Sequence, residues 1–257
     1  MIFLVAICAL FSHHLAPYDP NALNLASTYQ APGLSHPLGT DEFGRDVLSR
    51  IIFGSRVAMG LALTATLAGM ICGILLGLIS GYRGGWIDGL IMRCLDVLLS
   101  FPSLILAIGL VAFLGPSITN IILVVAITYA PRYARLIRGA ALSIREEEYI
   151  TAIRALGMGE AGIAIKHVLP NCIGPILVYA SLNLGTTILV IAGLSFLGLG
   201  VPPPTADWGG MLARGRENLV AAPWVAVFPG VAILVTVMGF NLLGDGLRDV
   251  LDPRMKD

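Results

Sequence analysis

Val57 to Ser80 is a run of 24 residues without one charged side chain. An α-helix rises about 1.5 Å per residue and a bilayer's hydrocarbon core is about 30 Å thick, so about 20 apolar residues cross it. In that setting each backbone N–H and C=O must be satisfied within the segment, which a helix does by itself. Four further runs follow: Leu95–Phe113 with Asp96 near its start, Ile118–Ala130 continuing weakly polar to Leu136, Ile173–Leu199, and Trp224–Leu243. Met1–Phe11, extended by Leu15 and Ala16, adds a shorter one. The expectation is an all-α integral membrane protein of about six transmembrane helices, the first of them short. A secretory signal fits the first run less well, because it lacks a basic n-region and an A-x-A site. A start codon placed too far downstream would equally explain its length.

The rest of the composition agrees. The chain is 56% hydrophobic, 12% charged and formally neutral, which removes the electrostatic basis for binding nucleic acid. Cys8, Cys72, Cys94 and Cys172 lie apart in apolar surroundings and read as small hydrophobic residues, not disulfides or metal ligands. With the N-terminus on the cytoplasmic side, eleven Lys and Arg residues fall inside and five outside, in keeping with the positive-inside rule. The chain then divides into a first segment (1–16), an external loop with an amphipathic helix over Asp41–Gly54 capped by Thr40 or Asp41 (17–56), and a membrane domain (57–257). That domain contains a cytoplasmic loop at 139–172.

This loop holds a polar island, Glu146–Asn171. Glu146, Glu147 and Glu148 suit a helix N-terminus. Tyr149, Ile153 and Leu156 share one apolar stripe; Ala152, Ala155 and Gly159 form a small-residue stripe beside it. Gly157 can take positive φ and end the helix. A second helix over Glu160–Val168 leads to Leu169-Pro170, with the next span starting at Ile173. Such an island either docks a cytoplasmic partner or lies on lipid headgroups. The three acids, against only Arg154 and Lys166, favour docking.

Polar residues elsewhere have smaller roles to offer. Asp96 is spaced to pair with Arg93, and Asp245 with Arg248. Asn183, Thr186, Thr187 and Asn241 could line a pathway or hydrogen-bond between helices. Asp207 and Trp208 could touch an external protein or form an ordinary turn. His13 and His14 are adjacent, point apart on a helix and have no third ligand nearby, so no metal site is expected. Of only two lysines, Lys166 and Lys256, neither sits in a G-x-x-x-x-G-K-[ST] loop. The scattered histidines fit no hydrolase motif. An ion-coupled secondary transporter would predict paired interrupted spans and coupling acids, of which Asp96 alone is a candidate.

The island resembles the coupling loop of membrane subunits of ATP-binding-cassette importers, whose motif runs E-A-A, three residues, G, nine residues, I, one residue, L-P. In that register stand Thr151-Ala152-Ile153, Gly157, His167 and Leu169-Pro170; the Glu, second Ala and Ile are replaced. Further stretches resemble the C-type subunit of the dipeptide/oligopeptide/nickel permease family: His36–Asp41 with Gly44-Arg45-Asp46 and Ser49-Arg50, Leu194–Gly200, Pro203-Pro204-Thr205 with Trp208-Gly209, Phe240–Asp245, and Leu247-Arg248-Asp249 with Leu251-Asp252-Pro253-Arg254. The ordered set covers nearly the whole chain.

The resemblance implies a type I importer-like permease forming half of a translocation pathway in a bacterial-type cytoplasmic membrane. It implies a homologous second permease, two ABC ATPase subunits and an extracytoplasmic solute-binding protein as partners. ATP and Mg would be held by the ATPases; this chain would bind no cofactor and catalyse nothing. Glu147, Glu148, Tyr149, Ala152, Arg154, Ala155, Leu156, Gly157, Leu169 and Pro170 would couple to the ATPase. Peptides are the expected cargo, with nickel the alternative.

Overall fold

The computed structural model describes residues 1–251; Asp252, Pro253, Arg254 and Lys256 lie outside the described residues. Those described contain no strand, only an isolated bridge between Thr40 and Asp46.

A nine-residue helix α1 (Ile2–Leu10) and a single turn α2 (Ser12–Leu15) open the chain. At about 14 Å, α1 is under half the thickness of a hydrocarbon core. It lies against α3 and near Gly239 of the last helix. The long α3 runs Val47–Arg83. Asp46, not Thr40 or Asp41, caps it: its Oδ2 accepts from the Ser49 amide at 2.7 Å. The separate amphipathic helix expected over Asp41–Gly54 is absent. Gly44 at φ 68° and the Asp41 carboxylate, which accepts from the Phe43 and Arg45 amides, make a turn there, and the remaining residues form the first turns of the span itself.

α3 ends where Gly84 and Gly85 take positive φ. The expected single span over Leu95–Phe113 is instead two helices, α4 (Gly85–Leu99) and α5 (Ser103–Leu114), bent by 91°. Pro102 supplies no amide and disfavours helical backbone at Phe101 before it. α6 (Ile118–Arg145) follows, then α7 (Glu148–Ala155) and α8 (Glu160–Ile163). α9 (Leu169–Phe196), α10 (Trp208–Gly215) and α11 (Trp224–Leu251) complete the fold. Among the described residues, four helices are long and apolar enough to span a bilayer, five if α4 and α5 count as one span.

α3 and α6 form the spine. Gly69 meets Ala126, Gly73 meets Tyr133 and Ala130, Gly77 meets Ala134 and Ile137, and Gly81 meets Ala141 and Arg138. Residue numbers rise together, so the two helices run parallel, as they must if α4 and α5 return the chain between them. Small residues four apart let the backbones approach closely, a common packing device between membrane helices. A Cβ on Gly77 would lie 2.5 Å from the Ala134 carbonyl oxygen and 2.7 Å from the Ile137 Cβ. Gly77→Val is therefore expected to destabilise the bundle by about 3 kcal/mol, the upper range for overpacking, read as a lowered melting temperature in detergent; an unchanged one would contradict this packing.

Arginines at a three-residue spacing tie α6 to α4 and α5. Arg138 donates twice to the Asp88 carboxylate, at 2.6 Å each, and Arg135 pairs with Asp96 at 2.5 Å. Asp96 thus bonds across helices to Arg135, not along its own helix to Arg93. Arg132 donates to the Ser103 hydroxyl at 2.8 Å. On the other side, α9 and α11 run antiparallel, with Gly185 against Val237 and Asn241 and Gly244 against Leu182.

Residues 17–46 and 198–223 fold over the end of the bundle where α3 begins. Asp41 sits at its centre, 3% exposed: Oδ2 accepts from Arg45 Nε at 2.7 Å, and Arg50 Nε lies 3.7 Å away. Arg50, 1% exposed, also donates to the Pro20 carbonyl. His36 pairs with Asp46, and Glu42 with both Arg45 and Arg214. The indoles of Trp208 and Trp224 fasten this cap by donating to the Ile51 and Thr40 carbonyls.

Candidate coupling surface

At the opposite end of the bundle the polar island projects from the spans. α6 runs out at Arg145, and Glu147, at the N-cap of α7, gives its carbonyl to the Ile150 and Thr151 amides. Ile150 is fully buried and holds α7 down, as Ile163 and Val168 hold the segment after it. Nearly everything else faces outward. Leu156 is 87% exposed and Tyr149 43%; Glu148, Ala152, Arg154, Ala155 and Gly157 are exposed too. The stripe of Tyr149, Ile153 and Leu156 is therefore an outer face, with Ile150 the inner anchor.

Gly157 ends α7 at φ 87°, its amide donating to the Arg154 carbonyl, and no atom lies within 4 Å of where a Cβ would project. Positive φ, not crowding, requires glycine here. Arg154 Nε donates to Glu160 Oε1 at 2.9 Å and closes the turn into α8. Both groups are solvent-exposed, so the pair orients the turn more than it stabilises the chain.

The second helix expected over Glu160–Val168 is present but changes character. After α8, residues Ala164–Val168 form a π-helical turn that passes into α9 without a break. Pro170 is the cause: it has no amide for the Lys166 carbonyl, and its ring crowds that oxygen, so the turn widens. The expected start of the span at Ile173 moves back accordingly, and Glu160–Phe196 behaves as one apolar helix. Leu169 is half-buried and Pro170 exposed. The Tyr149 and His167 rings meet edge-on at 6.5 Å, linking α7 to the widened turn. Beside them opens a recess of about 840 Å³ lined by Tyr82, Arg83, Trp86, Arg145, Arg154 and Glu160.

Among the pathway candidates, Asn183 and Thr187 are buried against neighbouring helices. Asn183 donates to the Tyr133 hydroxyl at 3.3 Å, and the Thr66 hydroxyl donates to Thr187 at 3.4 Å. Thr186 and Asn241 are exposed. Asp207 and Trp208 are both buried in the cap: Asp207 caps α10 by accepting from the Gly210 amide at 2.8 Å, and burial raises its pKa. The external surface near them belongs to their neighbours. His13 meets Phe53 edge-on at 4.9 Å and accepts from Arg56, and no group of three potential metal ligands occurs among the described residues.

Comparison with known proteins identifies the family. Residues 73–257 match the family described as binding-protein-dependent transport system inner membrane component. The glutathione transport system permease protein GsiD of Shigella flexneri is 46% identical over 256 residues, 99% of this chain and 84% of its own length. The dipeptide transport system permease protein DppC of Alkalihalophilus pseudofirmus is 46% identical over 250 residues, 97% of this chain and 82% of its own. The inward-facing methionine ABC transporter MetNI shares the fold, with a TM-score of 0.64 at 19% identity over 80% of this chain and 97% of that one. The chain is a multi-pass membrane protein and belongs to the binding-protein-dependent transport system inner membrane component family, as a permease of the ABC importers of the peptide branch.

Proposed function

We propose that this permease imports short peptides across a bacterial cytoplasmic membrane, pairing with a second permease to form the pathway. Two ATPase subunits bind and hydrolyse ATP with Mg, and one docks on α7. A solute-binding protein delivers cargo to the cap at the other end. The observation that carries the cargo assignment is the 46% identity to permeases named for a dipeptide and for glutathione, over 97–99% of the chain. Nickel, the other expected cargo, has no comparable support. An ion-coupled secondary transporter would leave the exposed α7 face without a use.

In this reading ATP binding draws the two ATPases together, and α7 moves with the subunit it touches. The motion passes through α8 and the widened turn into α9, exchanging an inward-open for an outward-open pathway. ATP must bind one state better than the other to drive this; tight docking alone shifts nothing. The test is uptake of radiolabelled dipeptide and of radiolabelled nickel by proteoliposomes holding the full assembly. Dipeptide uptake alone is expected, whereas nickel uptake alone would reverse the cargo assignment.

A further inference from the structure

We propose that Arg132 is a way-station for the carboxylate of the passing peptide, inside the membrane. The inference rests on the peptide reading above. Arg132, Arg135 and Arg138 follow one another at three-residue spacing and all reach toward α4 and α5. Arg135 and Arg138 each hold a carboxylate, Asp96 and Asp88 respectively. Arg132 does not: among the described residues its side-chain bond is to the neutral Ser103 hydroxyl. Its guanidinium also stands over the Tyr129 ring, 5.2 Å from the centroid. A guanidinium has five N–H donors in a planar fork suited to a carboxylate, so most of its capacity is open here.

Its depth makes this notable. Gly73 meets Tyr133 and Ala130, which sets Arg132 level with Gly73. Gly73 lies seven residues before Ser80, about 10 Å in from the end of the uncharged run. A cation at that depth is costly without a counter-charge and marks ion or substrate pathways.

A second observation points the same way. Tyr129 is 1% exposed, and its ring lies under the Arg132 guanidinium. Tyr133 and the half-buried Tyr179 meet edge-on at 5.0 Å, and Asn183 bonds to Tyr133. The patch thus combines a half-buried cation lacking an anion among the described residues with the half-buried ring of Tyr179, the combination that would receive a peptide's terminal carboxylate and an apolar side chain. Among the described residues no second cation is hydrogen-bonded into it, so the hold is weak enough to release the cargo.

The experiment compares Arg132→Gln, Arg132→Lys and Ser103→Ala in the fully assembled, reconstituted transporter, reading ATP turnover stimulated by loaded binding protein alongside uptake of a labelled dipeptide. Arg132→Gln is expected to keep stimulated turnover within about twofold while uptake falls about tenfold or more. Arg132→Lys retains most of the uptake, and Ser103→Ala behaves as wild type. Wild-type uptake by Arg132→Gln overturns the inference. So does a parallel loss of turnover and uptake that Ser103→Ala reproduces, which would make Arg132 a clamp on α5. Absence of dipeptide uptake by the wild-type assembly overturns the peptide reading itself, and the inference with it.

Discussion

Ala155→Arg is expected to abolish dipeptide import while the protein still inserts and folds. Ala155 is exposed on α7 beside Ala152 and the 87% exposed Leu156, so an arginine there disturbs nothing within this chain. It does occupy the space that small residues leave for a partner. Alanine permits close approach of the facing surface; a long charged side chain holds that surface off and would itself lose water on docking. Loss of a central docking contact costs about 2–4 kcal/mol, or 30-fold to nearly 1,000-fold in effective coupling at 1.4 kcal/mol per tenfold. Gly157→Pro reaches the same end through the backbone, since proline requires φ near −65° and this residue stands at 87°. Uptake and membrane-inserted protein are measured together; wild-type uptake by either variant would sink the docking role of α7.

The second large effect lies at the other end. Asp41→Ala leaves Arg45 and Arg50, 5% and 1% exposed, without their shared carboxylate, and frees the Phe43 and Arg45 amides it accepts from. Removing one member of a buried ion pair costs about 3–5 kcal/mol, because the remaining charge, here that of Arg50, stays buried without a paired carboxylate, while Arg45 keeps only Glu42. Much of the cap is fastened through this turn, so the loss is expected to loosen residues 17–46 ahead of the bundle. Limited proteolysis of outward-exposed protein should then cut in this segment at least tenfold faster than in wild type. Equal rates would mean that the network does not hold the cap.

The spans were legible because a bilayer demands length and apolarity, and both are properties of the sequence alone. Val57–Ser80, Ile118–Leu136, Ile173–Leu199 and Trp224–Leu243 all lie within or largely within observed helices. What the pattern did not reveal was continuity. Whether Pro102 breaks a helix and Pro131 does not depends on neighbours that replace the missing hydrogen bond, and those are set by tertiary packing. The same holds for Pro170, which widens a helical turn where a junction was expected.

The local structure of the Glu146–Asn171 island was readable in its small residues, its acids and the positive-φ glycine, each local in origin. Its buried anchor Ile150 was not, because Tyr149, Ile153 and Leu156 satisfy the same helical spacing with the opposite face. The glycines at 69, 73, 77 and 81 carried a visible four-residue period, yet their partner on α6 could be known only from the fold. The same holds for Arg132: that it bonds Ser103 and, among the described residues, no carboxylate is set by three helices at once and by no local pattern.

The most direct test of the account is ATP turnover by the permease assembled with its partner permease, two ATPases and binding protein, compared with and without a dipeptide and with Ni²⁺ in its place. The account predicts stimulation by dipeptide-loaded binding protein and none by Ni²⁺. Failure of any ATPase to assemble with the chain, or turnover indifferent to peptide, would contradict it.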